Sequence, residues 1–236
     1  MAVGTLPTSS LGAQRAGDAL GYFPTPPWAT RALCEWLDAE LDEPMAVQTA
    51  WEPACGEMHM VRPLRERFAE VIASDVQPYG DHQLIDFPSF GWAYPKADWV
   101  ITNPPFFLAE SFIATAFDAA KRGVAMLVRT AFLESEGRVN GLFTANPPSY
   151  VLQFAERVVM LKGRLIRANA VDPFAEVEGR KASSATSYCW IVWLRGADGL
   201  WPGDTRLRWI KPCRARLERD SDYPDYCVLP AGPAPT

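Results

Sequence analysis

The stretch WVITNPPF, residues 99–106, runs from a hydrophobic segment into an asparagine, two prolines and an aromatic residue. The apolar run before Asn103 predicts a buried strand, and residues 107–122 after it have the apolar spacing of an amphipathic helix. Asparagine is a favoured N-cap and proline a favoured first residue of a helix, so Asn103 could simply begin that helix. The stretch therefore predicts a strand, a stiff turn and a helix, and it leaves the role of Asn103 open.

Strand and helix patterns alternate on both sides of this unit. A first helix is expected in residues 22–41, with Thr25 as its N-cap and Pro26 in its first turn. Alternating strands and helices imply parallel strands joined by right-handed crossovers. The strands are expected at residues 46–53, 70–75, 83–87, 97–103 and 123–129, and the further helices at residues 58–68, 107–122 and 131–143.

The pattern changes after residue 149. Strand-like runs at residues 150–161, 187–194 and 206–210 follow with no strong helix, which suits an antiparallel hairpin that closes the sheet. The polar segment between the first two runs is long for a compact domain, and loops of that length are usually functional or disordered. We expect this loop, residues 162–186, to face a substrate.

Length and composition predict one domain. The chain has 236 residues, of which 48% are hydrophobic, enough for a substantial core. Residues 1–20 and 228–236 are rich in small residues, glycine and proline, so we expect flexible ends around a single domain at residues 21–227. No apolar run is long enough to cross a bilayer and the first residues lack a signal-like core, so a soluble, cytoplasmic protein is expected.

Metal chemistry is not expected. The five cysteines, at positions 34, 55, 189, 213 and 227, include no C-x-x-C pair, and His59 and His82 are the only histidines. A disulfide framework or a zinc site is therefore not predicted.

Charge is unevenly distributed along the chain. The net charge is -5, which argues against a protein that coats nucleic acid, and residues 1–43 carry a net charge of -4. Residues 206–219, in contrast, carry a net charge of +5 and include Trp209. Interleaved arginine and aromatic residues suit a nucleic acid, and a solvated charged face explains the segment equally well.

Acidic residues stand at three successive strand ends, where a doubly wound sheet binds its ligands. Glu52 ends the first strand and begins a small turn that includes Gly56, and Asp75 follows 23 residues later. That spacing suits a carboxylate that meets the ribose of a nucleoside. Asp86 and Phe87 end the third strand, where a carboxylate could bind an adenine amino group and a ring could pack on the base.

Asn103 ends the fourth strand and could hold an amine. An aromatic amine is a poor nucleophile, but the Asn103 oxygen and the Pro104 carbonyl could each accept one N–H and favour a tetrahedral nitrogen, with Pro105 stiffening the turn. Phe106 would stack on the base, a contact of about 1–3 kcal/mol. The similar TANPPSY, residues 144–150, follows no apolar strand and has Ser149 in the place of the aromatic residue, so we interpret it as a turn.

These motifs together resemble those of S-adenosylmethionine-dependent amino methyltransferases, above all DNA adenine-N6 methyltransferases, over residues 22–193. NPPF resembles the catalytic motif, EPACGEM at residues 52–58 the first cofactor motif, and SD and DF at residues 74–75 and 86–87 the second and third. FPTPP at residues 23–27 resembles the motif that closes over the methionine end of the cofactor. The motif order is similar to the gamma arrangement and to small stand-alone phage or prophage enzymes.

The resemblance implies a seven-stranded Rossmann-like fold and methyl transfer by in-line displacement at a sulfonium, with S-adenosylmethionine as cofactor and DNA as the partner. It implies a target-amine site of Asn103, Pro104, Pro105 and Phe106. It also implies a cofactor site made of Tyr22, Phe23, Thr25, Pro26, Glu52, Pro53, Ala54, Cys55, Gly56, Asp75, Val76, Asp86, Phe87 and Asn103. No separate recognition domain is evident, so a short or relaxed recognition sequence is expected. It would be recognised by residues 162–186 and the basic segment, with few base contacts and with phosphate contacts by Lys162, Arg164, Arg167, Arg180 and Lys181.

One residue departs from the family pattern, because Met58 stands where the family commonly has a small residue. A bulky side chain there would narrow the cofactor cleft or redirect the turn. RNA adenine-N6 and guanine-N2 methyltransferases share NPPF, and a related motif modifies glutamine in release factors, so these substrates remain alternatives. A non-catalytic nucleic-acid-binding module on a decayed methyltransferase fold is a further alternative.

Overall fold

The computed structural model describes residues 21–89, 96–196, 198–201 and 204–226. The flexible ends expected at residues 1–20 and 228–236 lie outside these residues. Within them no helix is long and apolar enough to span a bilayer.

One eight-stranded sheet forms the centre of the protein, in the order β3-β2-β1-β4-β5-β7-β6-β8. Only β7 runs antiparallel to its neighbours, β5 and β6. The expected mainly parallel sheet with an antiparallel C-terminal hairpin is confirmed, and β8 adds an eighth strand parallel to β6 at the edge. The strands are Thr49–Glu52 (β1), Glu70–Asp75 (β2), Gln83–Leu84 (β3), Ala97–Thr102 (β4), Ala120–Arg129 (β5), Tyr150–Phe154 (β6), Tyr188–Leu194 (β7) and Arg206–Ile210 (β8).

Both faces of the sheet are covered, which explains why β4 and β5 are nearly continuous apolar runs. One hydrophobic core contains Trp28, Leu33 and Trp190, and the core on the other face contains Trp51 and Trp193. The two long helices are Pro27–Glu40 (α1) and Ala109–Ala119 (α3). Shorter helices are Val61–Arg65 (α2), between β1 and β2, and Arg214–Leu217 (α4), after β8.

The starts of two helices differ from the sequence-based predictions. Pro26, not Thr25, is the N-cap of α1, and the Thr25 hydroxyl instead lies 3.8 Å from the Met160 sulfur. Helix α3 begins only at Ala109, after a 3-10 turn at Phe106–Leu108. Asn103 therefore caps no helix.

The single helix expected at residues 131–143 is broken. A 3-10 turn at Thr130–Leu133 is followed by one α-helical turn at Glu136–Arg138 and a π-helical turn at Val139–Phe143. Glycines at 137 and 141 weaken helix formation here. The Ser135 hydroxyl accepts a hydrogen bond from the Arg138 amide and caps a new helical turn.

Candidate functional site

The carboxyl ends of β1, β2 and β4 meet at one cavity of about 430 Å³ because the three strands are parallel neighbours. The segment before α1 closes one side of this cavity. All the predicted site residues line the cavity except Pro26 and Gly56: Tyr22, Phe23, Thr25, Glu52, Pro53, Ala54, Cys55, Asp75, Val76, Asp86, Phe87, Asn103, Pro104, Pro105 and Phe106.

Asn103 lies at the end of β4 with its amide held in one orientation. Its side-chain nitrogen donates a hydrogen bond of 2.8 Å to the Phe23 carbonyl and lies 3.8 Å from the Met160 sulfur. Its oxygen, Oδ1, is buried and accepts no hydrogen bond from the described residues. A buried acceptor without a donor costs about 1–3 kcal/mol, so Oδ1 is a ready site for an N–H group.

The two prolines after Asn103 differ in their carbonyl groups. The Pro105 carbonyl accepts the Leu108 amide at 2.8 Å, which forms the 3-10 turn. No donor among the described residues reaches the Pro104 carbonyl, whose residue is buried at the cavity wall. The turn thus offers two acceptors in consecutive residues, Asn103 Oδ1 and the Pro104 oxygen.

An aromatic and cationic cluster flanks these acceptors. The half-buried Phe106 ring lies 5.2 Å from the Phe23 ring, and the Arg129 guanidinium carbon lies 4.0 Å from the Phe106 ring centroid. Arg129 was not predicted as a site residue. The available signal was its position as the charged last residue of β5, at the same edge of the sheet as Asn103.

Asp75 links the turns after β1 and β2. Its Oδ2 accepts the Gly56 amide and its Oδ1 accepts the Gln77 amide, both at 2.9 Å. Gly56 has φ of +48°, and a Cβ on it would lie 2.6 Å from the Tyr22 ring, so only glycine fits beneath that ring. Burial raises the pKa of Asp75, and the two amide donors offset part of this rise.

Glu52 is completely buried at the end of β1. Burial raises the pKa of its carboxyl group to about 8, and the nearby Thr102 side chain and the Ala54 amide offset part of the rise. The Ala54 amide donates to Oε1 at 3.0 Å. A positive group in the cavity would favour the charged form of this carboxyl.

Beyond Asp75, the cavity is lined by residues that follow β2 and β3. Val76 is 45% exposed and lies there with Ile85. Asp86 is exposed, whereas the Phe87 ring is 1% exposed and packs edge-on against Trp51 with 4.9 Å between centroids. Phe87 therefore belongs to the core beneath the cavity, and Val76 is the more accessible apolar surface for a base.

Met58 affects the backbone rather than the cavity. It has φ of +70°, a conformation that costs a non-glycine residue about 1–2 kcal/mol. Its side chain packs against Cys55, Val61 and Ala73 and does not line the cavity, so the expected narrowing of the cleft is not found. The positive φ explains why a glycine suits this position.

Two of the five predicted phosphate contacts are already paired with carboxylates. Arg164 pairs with Asp172 and Arg167 with Asp220. Arg180 and Lys181 are exposed and have no carboxylate partner among the described residues.

The basic segment after residue 205 divides in the same way. Its later arginines, at 214, 216 and 219, pair with Glu156, Glu35 and Glu66. Arg206 and Arg208 on the edge strand β8 have no carboxylate partner within the described residues, and Trp209 is 63% exposed. The surface charge available to a polyanion is therefore smaller than the sequence suggests.

No group of three or more histidine, cysteine or acidic side chains that could hold a metal occurs among the described residues. The described cysteines, Cys34, Cys55, Cys189 and Cys213, are free.

No family model and no curated protein matches the chain. A protein described as a modification subunit of a type I restriction enzyme from Vibrio vulnificus YJ016 matches in structure with a TM-score of 0.52 and 14% identity, over 94% of this chain and 57% of that one. The methyltransferase subunit of a type I restriction-modification system from Streptococcus thermophilus matches with a TM-score of 0.51 and 10% identity, over 86% and 51%. This chain thus spans just over half the length of each protein. The likeness shows that they share a Rossmann-like fold.

Proposed function

We propose that the protein transfers a methyl group from S-adenosylmethionine to the exocyclic N6 amine of adenine in DNA. The observation that carries the proposal is the buried, unpartnered Asn103 Oδ1, which lies beside the free Pro104 carbonyl and lines the same cavity as Asp75 and Glu52. The fold shared with two restriction-modification subunits supports a nucleic-acid substrate. We further propose that residues 21–227 form a single methyltransferase domain.

The cavity residues fit the cofactor. Val76 and Ile85 supply an apolar surface for a base, with the Asp86 carboxylate beside them as an acceptor for its amino group. Asp75 would hold the ribose, and Tyr22, Phe23 and Thr25 with the turn at residues 52–56 would surround the methionine end. The close approach of Tyr22 to Gly56 supports this closed arrangement.

Bound S-adenosylmethionine would supply a methyl group on a sulfonium and would leave as the neutral thioether, and the methylated amine would give up a proton to water. Asn103 Oδ1 and the Pro104 carbonyl would each accept one N–H of the target amine. These two hydrogen bonds would favour a tetrahedral nitrogen, whose lone pair is not delocalised into the ring. They would also stabilise the positive charge that develops on the nitrogen. The Phe23 carbonyl fixes the direction of Oδ1, so no reorganisation is needed when the amine arrives.

The target base must leave the duplex or be single-stranded, because its amino group is otherwise paired and stacked. Phe106 would stack on the extruded base. The Arg129 guanidinium lies over this ring in the structure, so the base would replace it or stack beside it. Arg180, Lys181 and the β8 edge are cationic surfaces open to phosphate, which favours weak, short-sequence recognition.

The test is nucleoside mass spectrometry of DNA and RNA from cells that express the wild type or Asn103→Ala. N6-methyladenine in DNA that depends on Asn103 would support the proposal. Methylated RNA nucleosides with unmodified DNA would support the RNA alternative, which the acidic net charge also favours. Transfer of a labelled methyl group from S-adenosylmethionine to protein in a cell extract would point to glutamine methylation. Failure of the purified protein to bind S-adenosylmethionine would overturn the enzyme assignment and favour the non-catalytic module.

A further inference from the structure

His59 lines the cavity and plays no part in the function proposed so far. It follows the turn after β1, directly before Met60, and the residue is 4% exposed. Its Nδ1 atom is buried and makes no hydrogen bond with the described residues. A buried ring nitrogen without a partner in the wall of a cavity is a binding feature that needs an explanation.

The other ring nitrogen determines what Nδ1 can do. Nε2 lies 3.3 Å from Glu57 Oε2, and an ionised carboxylate can only accept a hydrogen bond. Nε2 therefore carries the proton in the neutral ring. Nδ1 is then left with a lone pair and acts as an acceptor.

His59 lies at the methionine end of the cavity. The backbone amide of its partner Glu57 lies 3.4 Å from the Tyr22 hydroxyl, and the Tyr22 ring covers Gly56. The contacts proposed above for the adenine base, Val76 and Asp86, follow other strands. An N–H donor on the cofactor that can reach His59 is therefore the α-ammonium group rather than the adenine amine.

We propose that His59 Nδ1 accepts a hydrogen bond from the α-ammonium group of the cofactor, with Glu57 fixing the tautomer that makes this possible. The inference rests on the proposed function, because it needs a cofactor with an amino-acid end. It assigns His59 as a residue that selects S-adenosylmethionine and its product over nucleosides that lack the amino group.

The tautomer is tested first, by nitrogen NMR of protein labelled at histidine. The chain has only two histidines, and they provide opposite controls. His82 Nδ1 lies 3.1 Å from the Gln83 carbonyl, so His82 is expected to carry its proton on Nδ1 and His59 on Nε2. S-adenosylhomocysteine should shift the His59 Nδ1 signal while both tautomers persist. A His59 proton on Nδ1, or a His59 signal unmoved by bound ligand, would overturn the inference.

Calorimetry then tests the contact. The ligands are S-adenosylhomocysteine and its analogue without the amino group, and the proteins are the wild type, His59→Phe and His59→Asn. Removing the amino group should weaken binding to the wild type about tenfold more than binding to His59→Phe, since a hydrogen bond to a charged group is lost only in the wild type. Asn places an oxygen near the Nδ1 position, so His59→Asn should recover part of the preference.

The two proposals fail in different ways. If S-adenosylhomocysteine binds and the amino group matters equally in the wild type and in His59→Phe, the role of His59 is wrong and the methyltransferase assignment stands. If the folded wild type binds neither S-adenosylmethionine nor S-adenosylhomocysteine, both are wrong. Thermal unfolding of each variant confirms that the compared proteins are folded.

Discussion

The side-chain nitrogen of Asn103 donates a 2.8 Å hydrogen bond to the carbonyl of Phe23, a residue 80 positions earlier in the chain. This bond fixes which end of the amide faces the cavity, because the Phe23 carbonyl oxygen can accept a hydrogen bond only from the amide nitrogen. The oxygen is left buried and without a donor. Two motifs that are distant in sequence thus orient the acceptor that the proposed amine site requires.

Replacing Asn103 by alanine should lower the rate of methyl transfer by about 100-fold or more, because an acceptor aimed at developing charge is lost. Affinity for S-adenosylmethionine should change little. Transfer of labelled methyl groups and calorimetry measure the two effects. Asn146→Ala is the matched control, since Asn146 stands in the second NPP copy and its hydrogen bonds within the described residues, to Leu142 and from Trp193, use backbone atoms. A near-normal rate in Asn103→Ala would remove the proposed role.

Replacing Phe106 by alanine should reduce kcat/KM for DNA by about 10–100-fold, which corresponds to one base-stacking contact of about 1–3 kcal/mol. Phe106→Tyr keeps the ring and should stay close to the wild type. Phe107→Ala is the control, because Phe107 is 66% exposed and does not line the cavity. Equal losses in the two alanine variants would contradict stacking by Phe106.

The free energy of unfolding should depend on pH through Glu52. The folded-state pKa, about 8, lies above the ordinary value of 4.5, so this group favours the folded state fully below pH 4.5 and loses that contribution as pH rises through 8. Urea denaturation between pH 5 and pH 8.5 should show stability falling by a few kcal/mol. Glu52→Gln should flatten this slope, and an unchanged slope would show that Glu52 is charged in the folded protein.

Substitutions of Met58 test whether the backbone at this residue is strained. Met58→Gly and Met58→Ala lose the same packing, but only glycine accepts φ of +70° without cost, so the glycine variant should be more stable by about 1 kcal/mol. Chemical denaturation measures the difference. Affinity for S-adenosylmethionine should be the same in the wild type and Met58→Gly, because the side chain does not line the cavity. Tighter binding by the glycine variant would restore the crowding explanation.

The double variant Arg180→Ala and Lys181→Ala should weaken DNA binding and lower the slope of log affinity against log salt by about 2, since two phosphate contacts are lost. Fluorescence anisotropy over a salt series measures this. Arg216→Ala is the control: Arg216 is exposed but paired with Glu35, and it should leave the slope unchanged. An effect confined to Arg216→Ala would place the DNA at the surface around Arg216 instead.

Local patterns in the sequence were sufficient for much of the fold. β2, for example, was predicted with its observed bounds, because its short apolar run is bounded by polar residues at both ends. The prediction of a single helix at residues 131–143 was wrong, because apolar spacing does not reveal where a serine cap and two glycines divide a helix. The start of α1 was misplaced by one residue for a similar reason: either Thr25 or Pro26 could precede the first turn.

The site shows the same division. The residues at the strand ends could be named in advance, since parallel strands bring their carboxyl ends to one edge whatever the side chains are. His59 and Arg129 were missed because their places in the fold depend on tertiary structure: His59 lines the cavity, and Arg129 contacts the distant Phe106 ring. The sequence overstated how many arginines of the basic segment are free to bind a polyanion. Three of them pair with Glu35, Glu66 and Glu156, which come from distant elements.

The sequence by itself determined the alternation of strands and helices, the motifs at the strand ends and the positions that need small residues, because these depend on neighbouring residues and on periodicity. The tertiary structure alone decided that Asn103 caps no helix and that its oxygen is free. It also decided which arginines remain unpaired. Hydrogen bonds and ion pairs between distant segments depend on where folding places each partner, and no local pattern records that distance.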